Sequence, residues 1–311
     1  MNTSVTRKDN ELDMRFCEGR IEIITINFSS KDFIQEWNHT SENFRIFSYP
    51  CIADLNGDGR NDFLVAIQDD PNHYLNTTEI VAFISKNYEE ERIASLKDFF
   101  VFNINFANIS DKNILLAGYN PKKDSGKIIV LEGETKIWEY SLGNRTSDVV
   151  TTDVNRDGSL DFIVSWNSFL NGSFISIFLN EYPNFREIKR LKLPPEHVIS
   201  IKYVGDNRLV IGGLKGLYSL NLQNYKINEI YKPSESEYIT FMEMKNGDLI
   251  FLVYNESERI SPFRILKLEY NPFKNSYLKV SEIKLDITPI LSISFDEHIL
   301  IGSEKGLYLV G

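Results

Sequence analysis

The chain has 311 residues, 42% hydrophobic and 25% charged, an ordinary globular balance that allows one large β domain or two smaller ones. A formal net charge of −10 without any long basic run speaks against nucleic acid as a partner. No apolar run reaches the ~18 residues of a membrane helix, and the two cysteines, Cys17 and Cys51, are too few for a disulfide framework and match no zinc spacing.

In chain order, the first twenty residues hold no apolar signal core, so the expectation is a cytoplasmic protein or one whose leader lies outside this chain. Strand-like runs then recur. They start at Asp13 (DMRFCEG), Asp62 (DFLVA), Asn113 (NILLAG), Asp161 (DFIVS), Arg208 (RLVIGG), Asp248 (DLIFLV) and His298 (HILIGS). From Asp62 onward the starts are 51, 48, 47, 40 and 50 residues apart. Each is followed by a second β-rich run: 21–28, 79–85, 127–132, 174–179, 217–222, 263–269 and 307–310. The segments LVIGGLKGLYSL (209–220) and ILIGSEKGLYLV (299–310) are the shortest forms, hairpins whose tight turns hold Gly216 and Gly306. Trp37 and Trp138 mark outer strands, and 47–54, 101–109, 149–153, 198–204, 238–244 and 290–295 are inner strands.

Four short strands in about 47 residues, repeated seven times without a long amphipathic helix, predict an all-β chain. The architecture expected is a single seven-bladed β-propeller over residues 1–311, built of four-stranded antiparallel blades. The GH…WD marks of WD40 repeats are absent. The last hairpin has no outer strand after it. Residues Thr3–Lys8 are expected to pair with it near Leu307–Val310, closing the ring through the chain ends and removing an open edge. The alternative is six blades, with Ile21–Trp37 completing the terminal one.

Two stretches stand apart from the repeats. DLNGDGRND (Asp54–Asp62) and DVNRDGSLD (Asp153–Asp161), 99 residues apart, both read D-x-N-x-D-G-x-x-D and both run into an apolar strand. Asp54, Asn56, Asp58 and Asp62 in one, and Asp153, Asn155, Asp157 and Asp161 in the other, place hard oxygen side chains at positions 1, 3, 5 and 9. Arg60 and Ser159 would add a backbone carbonyl at position 7, and Gly59 and Gly158 permit the sharp turn. An EF-hand is excluded, because position 12 is Val65 or Val164 where a bidentate Glu is required, and the flanks are β-rich. An Asp/Asn/Gly turn without metal is the plain alternative, and its repetition at five key positions argues for calcium.

The pattern resembles the FG-GAP and VCBS repeats of integrin α-subunit type. That resemblance implies a propeller with calcium in the loop between the first and second strands of some blades. Two structural calcium ions are the cofactors expected. It also implies a binding face opposite the calcium loops, formed by the joints between second and third strands. Here those joints are 68–78, 119–126, 166–172 and 254–261, and they carry Tyr74, Tyr119, Trp166, Phe169 and Tyr254. Such aromatics anchor a protein or stack on sugar rings; packing within their own loops is the plain reading.

No nucleophile elbow, P-loop, dinucleotide fingerprint or zinc-protease motif is present, and His39, His73, His197 and His298 lie in no metal-binding context. The expectation is a non-catalytic, calcium-stabilised binding module for adhesion or assembly, with a protein or glycan partner. A cytoplasmic scaffold propeller, and a lectin or carbohydrate-active enzyme, are the alternatives. Sequons at Asn2, Asn27, Asn38, Asn76, Asn108, Asn144, Asn171 and Asn255 favour an extracellular or cell-surface location. Cys17 and Cys51 are expected as buried free thiols, with a single disulfide as the other possibility.

Overall fold

The computed structural model describes the backbone of 28 strands and many of the turns between them. Side chains are described between residues 51 and 284, outside the stretches 69–76, 85–88, 108–112, 195–196, 245–246, 259–262 and 272–275 and scattered single positions. The first strands are β1 (Asn2–Thr6), β2 (Leu12–Cys17), β3 (Arg20–Asn27) and β4 (Asp32–Thr40). Next come β5 (Arg45–Phe47), β6 (Cys51–Ala53), β7 (Asp62–Asp69), β8 (Thr77–Ile84) and β9 (Glu89–Lys97). They are followed by β10 (Phe100–Ala107), β11 (Asn113–Asn120), β12 (Ser125–Glu132) and β13 (Thr135–Leu142). Then stand β14 (Arg145–Thr152), β15 (Asp161–Ser168), β16 (Gly172–Glu181) and β17 (Asn184–Lys192). The next four are β18 (Val198–Tyr203), β19 (Arg208–Gly213), β20 (Gly216–Asn221) and β21 (Ile227–Tyr231). The last are β22 (Glu237–Lys245), β23 (Asp248–Asn255), β24 (Phe263–Asn271), β25 (Ser276–Leu285), β26 (Pro289–Phe295), β27 (His298–Ser303) and β28 (Gly306–Val310).

The chain divides into two compact units, Glu42–Tyr203 and the combination of Met1–Ser41 with Val204–Gly311. In the first unit, β5 to β9, β10 to β13 and β14 to β17 form three antiparallel sheets whose strand order follows the chain. Their second strands explain the continuous apolar runs in the sequence. In β11 and β15 the first six residues are all buried, as are Asp62–Gln68 of β7, because both faces of each sheet are covered. Burial then falls outward: β12 and β16 remain largely buried, while β9 and β13 are largely exposed.

Alternate residues of the central strands serve opposite faces. Ile114, Leu116, Ile129 and Leu131 pack with Leu64, Ala66, Ile80 and Ala82 of the preceding sheet. Leu115, Ala117, Ile128 and Val130 pack with Phe162, Val164 and Phe178 of the following one. Each fully buried Leu, Ile, Val or Phe among them contributes roughly 1.5–3 kcal/mol relative to exposure. The inner strand β10 lies beside β6 and β7 on one side and β14 on the other, with β18 beyond β14.

Polar side chains also join neighbouring sheets. Gln68, in β7, donates its amide to Val101 O at 2.8 Å and accepts from Val101 N at 2.7 Å. A side chain here makes the two-way pairing that a strand residue would make.

The inner strand expected over 47–54 is split. Arg45–Phe47 and Cys51–Ala53 both pair with β7, and the sequence between them carries Pro50, which has no N–H for a ladder.

In the second unit, β1 to β4 and β22 to β25 are four-stranded antiparallel sheets, and β26 to β28 are paired in order. The hairpins read from the sequence are β19–β20 and β27–β28, with Gly213 opposite Gly216 and Ser303 opposite Gly306.

Ring closure differs from the expectation. β1 pairs with β2, Asn2 opposite Phe16 and Thr6 opposite Leu12, rather than with Leu307–Val310. A short link closes this hairpin at small entropic cost, and without β1 the inner edge of β2 would have no partner. β1 lies beside β26 instead, so the first and last sheets meet through neighbouring inner strands and share no ladder. The same pairing places β3 and β4, which together span residues 21–37, in the first sheet.

Candidate functional site

The two acidic loops occupy the same joint in two sheets. Asp54–Asp62 links β6 to β7, and Asp153–Asp161 links β14 to β15. Their backbones match: Gly59 and Gly158 have φ of 81° and 89°, and Gly57 and Arg156, at position 4, have 82° and 64°. A Cβ at Gly59 or Gly158 would meet nothing within 4 Å, so backbone strain alone selects glycine there.

The position-1 carboxylates organise the loops. Asp54 accepts from Gly57 N and Asp58 N through Oδ1 (2.7 and 3.0 Å) and from Gly59 N through Oδ2 (2.8 Å). Asp153 accepts from Asp157 N (3.1 Å) and Gly158 N (2.9 Å). Asn56 and Asn155 repeat one another, each accepting from the position-5 N–H (2.8 and 3.1 Å) and donating to the position-5 carboxylate (3.3 and 2.8 Å). Asp58 and Asp157 accept in turn from Arg60 N (2.8 Å) and Ser159 N (2.7 Å).

Position 9 forms the base. Asp62 and Asp161 are fully buried and accept from Leu55 N (2.9 Å) and Val154 N (2.8 Å), while Asp161 also accepts from Asn180 N (2.8 Å). Burial pushes the Asp161 carboxyl above its ordinary pKa, against the N–H groups of Asn180 and Val154. The exposed Asp157 is held below the ordinary value, chiefly by the Ser159 N–H and then by the Asn155 amide.

Among the described residues no group of three or more His, Cys, Asp or Glu stands together as a ligand set. The donor chemistry nevertheless suits a hard cation. Every side chain at positions 1, 3, 5 and 9 carries oxygen, and a carboxylate oxygen that accepts one N–H keeps a second lone pair.

Of the expected binding-face aromatics, Tyr119, Trp166 and Tyr254 fall among the described residues. Tyr74 and Phe169 lie outside the described residues. Trp166 is 4% exposed, stacks on Phe174 at 4.4 Å and donates its indole N–H to Ser176 Oγ at 3.1 Å. It is a packing residue, because its strand is covered on both faces. Tyr119 and Tyr254 are half-buried strand residues, the first beneath the Arg145 guanidinium and the second against Phe263.

Cys51 is a free, half-buried thiol; burial pushes its pKa up to about 11, although it accepts from Phe106 N at 3.2 Å. The Cys17 side chain lies outside the described residues. Of the sequons, Asn171 is exposed, whereas Asn255 is 9% exposed and engaged with Ser257 and Glu258. His197 is exposed.

One polar cluster was not foreseen. Asp148 in β14 accepts from Asn103 in β10 and from Ser200 and Ile201 in β18. A lone acid in the run RTSDVV is its only sequence signal.

No family model and no curated protein matches the sequence. Solved structures match over nearly the whole chain. Saccharomyces cerevisiae Sqt1 is 10% identical over 96% of this chain and 80% of its own, with a TM-score of 0.65. A chain of a mitotic checkpoint complex is 10% identical over 98% and 85%, at 0.68. The WD40 β-propeller domain of Doa1 is 11% identical over 98% and 90%, at 0.66. The fold is therefore that of a β-propeller. The likeness resides in the backbone, since the GH…WD marks are missing, and the FG-GAP resemblance is carried by the two loops alone.

Proposed function

We propose that the chain is a non-catalytic, seven-bladed β-propeller that binds a protein partner and is stabilised by calcium in its two acidic loops. The observation that carries this reading is the propeller fold holding one loop geometry twice at the same joint. Rigid sheets present many joints at their ends, which suits assembly; one structural neighbour belongs to a multi-protein complex.

Asp54, Asn56, Asp58 and Asp62 would hold one ion, and Asp153, Asn155, Asp157 and Asp161 the other, with the carbonyls of Arg60 and Ser159 as further ligands. Calcium would offset the repulsion among three carboxylates and the burial of Asp62 and Asp161. The FG-GAP-like loops and the exposed sequon at Asn171 favour a cell-surface or extracellular setting. The test is capture of partners on immobilised full chain, in calcium and in chelator, with identification by mass spectrometry. Partner capture that is specific and weakened by chelator supports both parts; no specific partner in either condition overturns the binding reading.

A cytoplasmic scaffold is the second reading, favoured by the free thiol of Cys51. A mobility shift on glycosidase treatment of the natural protein separates the two.

A further inference from the structure

Of the large hydrophobic side chains exposed among the described residues, half stand on one strand. They are Leu278, Val280 and Ile283 of β25, at 40%, 48% and 37% exposed. β25 is the last strand of its sheet, and among the described residues no further strand pairs with it. The corresponding strand of another sheet is covered by its neighbour. Trp138 of β13 packs on Phe162, Phe178 and Phe185 of the following sheet at 5.8, 5.7 and 5.2 Å, and Tyr140 lies 5.0 Å from Phe178.

The ladder with β24 sets the faces of β25. Lys267 stands opposite Ser281 and Leu268 opposite Lys279, which leaves Val280 as a bulge. A bulge shifts the alternation of faces by one, so residues an odd number apart across it share a face. Leu278 and Ile283 therefore lie on one face, and Lys279 and Glu282 on the other. The ion pair between Lys279 and Glu282 accords with this, and Arg264 of β24 holds Glu282 at 2.8 Å.

The strand is complementary to itself. Turned about a two-fold axis between Val280 and Ser281, a second β25 overlaps the first over all 10 residues, Ser276–Leu285. This register sets Leu278 opposite Ile283 of the second copy and Lys279 opposite its Glu282. Each opposed pair shares a face, because the bulge has brought the two halves of the strand into phase. Apolar pairs and opposite charges across neighbouring strands are stabilising. Charged residues ordinarily guard a strand edge against its own copy, because like meets like. Here the opposite charges sit symmetrically about the strand centre, so each meets its counter-charge.

From this self-complementary edge we infer that two copies of the chain associate through β25, its strands antiparallel and the two sheets continued into one. The interface is isologous, so every opposed pair occurs twice. The inference stands apart from the partner-binding reading above and does not depend on it.

The experiment is sedimentation velocity on the full chain from about 1 to 500 µM, the range in which so small an interface exchanges. The expected result is a reversible shift from monomer to dimer, with slower hydrogen exchange at the amides of Ser276–Leu285 in the dimer. Lys279→Glu sets like charges opposite one another, and Leu278→Asp sets a carboxylate against Ile283. Each is expected to weaken the dimer by about tenfold, since symmetry doubles every loss. Both residues are exposed. Circular dichroism checks that the variants are folded; if Leu278→Asp is not, Lys279→Glu decides. A chain that stays monomeric throughout, a Lys279→Glu dimer of wild-type strength, or oligomers that keep growing with concentration overturns the pairing. Protection of the β25 amides by a captured partner protein alone also overturns it and assigns the edge to that partner. A monomeric chain leaves the partner-binding reading standing, to be decided by capture on the full chain.

Discussion

Asn167 pairs its side-chain amide with both backbone groups of Val198, donating to Val198 O and accepting from Val198 N, each at 2.9 Å. It repeats in β15 what Gln68 does in β7, and it stitches β15 to β18, the inner strand that packs beside β14. Asn167→Leu would leave the Val198 N–H and C=O without that partner. An unmade bond to a buried group costs about 1–3 kcal/mol. Urea denaturation should therefore show a loss of that size or more, since two groups are affected. A change below about 0.5 kcal/mol would show that water replaces the amide.

Asp148 yields a pH prediction. Its Oδ1 accepts from Asn103 Nδ2 at 2.7 Å and Val149 N at 2.9 Å, and its Oδ2 from Ser200 Oγ at 2.8 Å and Ile201 N at 2.9 Å. Burial nevertheless raises its pKa, with Lys202 and these donors pulling the other way. A raised acid pKa means that the folded state holds the proton more tightly than the unfolded one. The stability it contributes is present below the unfolded value of about 3.9 and is lost as pH rises through the folded value. Asp148→Asn does not titrate. The stability difference, wild type minus variant, should fall as pH climbs from about 3.5 through that window. A difference that stays flat would place the titration elsewhere.

The proposed calcium sites can be tested one at a time. Titration calorimetry on chelator-treated protein is expected to find about two sites in the micromolar to millimolar range. Asp157→Ala should remove one and leave the loop at Asp54–Asp62 intact. If free calcium is ~100 times its Kd, each site adds roughly 2.7 kcal/mol, so chelation should lower the melting temperature. Gly158→Ala, at φ 89°, should destabilise by about 1 kcal/mol even without calcium. A wild type that takes up no calcium would leave the loops as hydrogen-bonded turns.

The pairing of β1 is open to hydrogen exchange. Deleting residues 1–6 removes the inner neighbour of β2, so amides of Leu12–Cys17 should lose protection and the melting temperature should drop. Amides of Gly306–Val310 should keep theirs against β27. The opposite pattern would return to the pairing between the chain ends.

Features that depend on neighbours a few residues away were legible in the sequence. The second strands were plain because burial on both faces leaves no alternation to read, as in β11 and β15. The acidic loops were equally plain, since Asp54 and Asp153 bind N–H groups within five residues. What depends on distant partners was not. For Trp166 the sequence leaves both docking and packing open, because nothing local announces Phe174 and Ser176 across the next turn. The segment NTSVT fits any strand edge, so only the assembled ladder shows that its partner is β2. Asn167 and Gln68 fall by sequence in the joints 166–172 and 68–78, because Val198 and Val101 lie about thirty residues beyond them.

The pairing of β1 with β2 has a kinetic consequence. Had the first strand belonged to the last sheet, one ladder would have waited for nearly the whole chain to leave the ribosome. As it is, β1–β4, β10–β13, β14–β17 and β22–β25 each draw on one unbroken stretch of chain. Their hydrogen bonds form at short sequence separation, the condition for fast folding, and each sheet can be laid down as it emerges. The seating of β1 beside β26 and β27 spans the chain. That step joins surfaces already made, so a misfolded product would be expected to hold correct sheets and a missed closure.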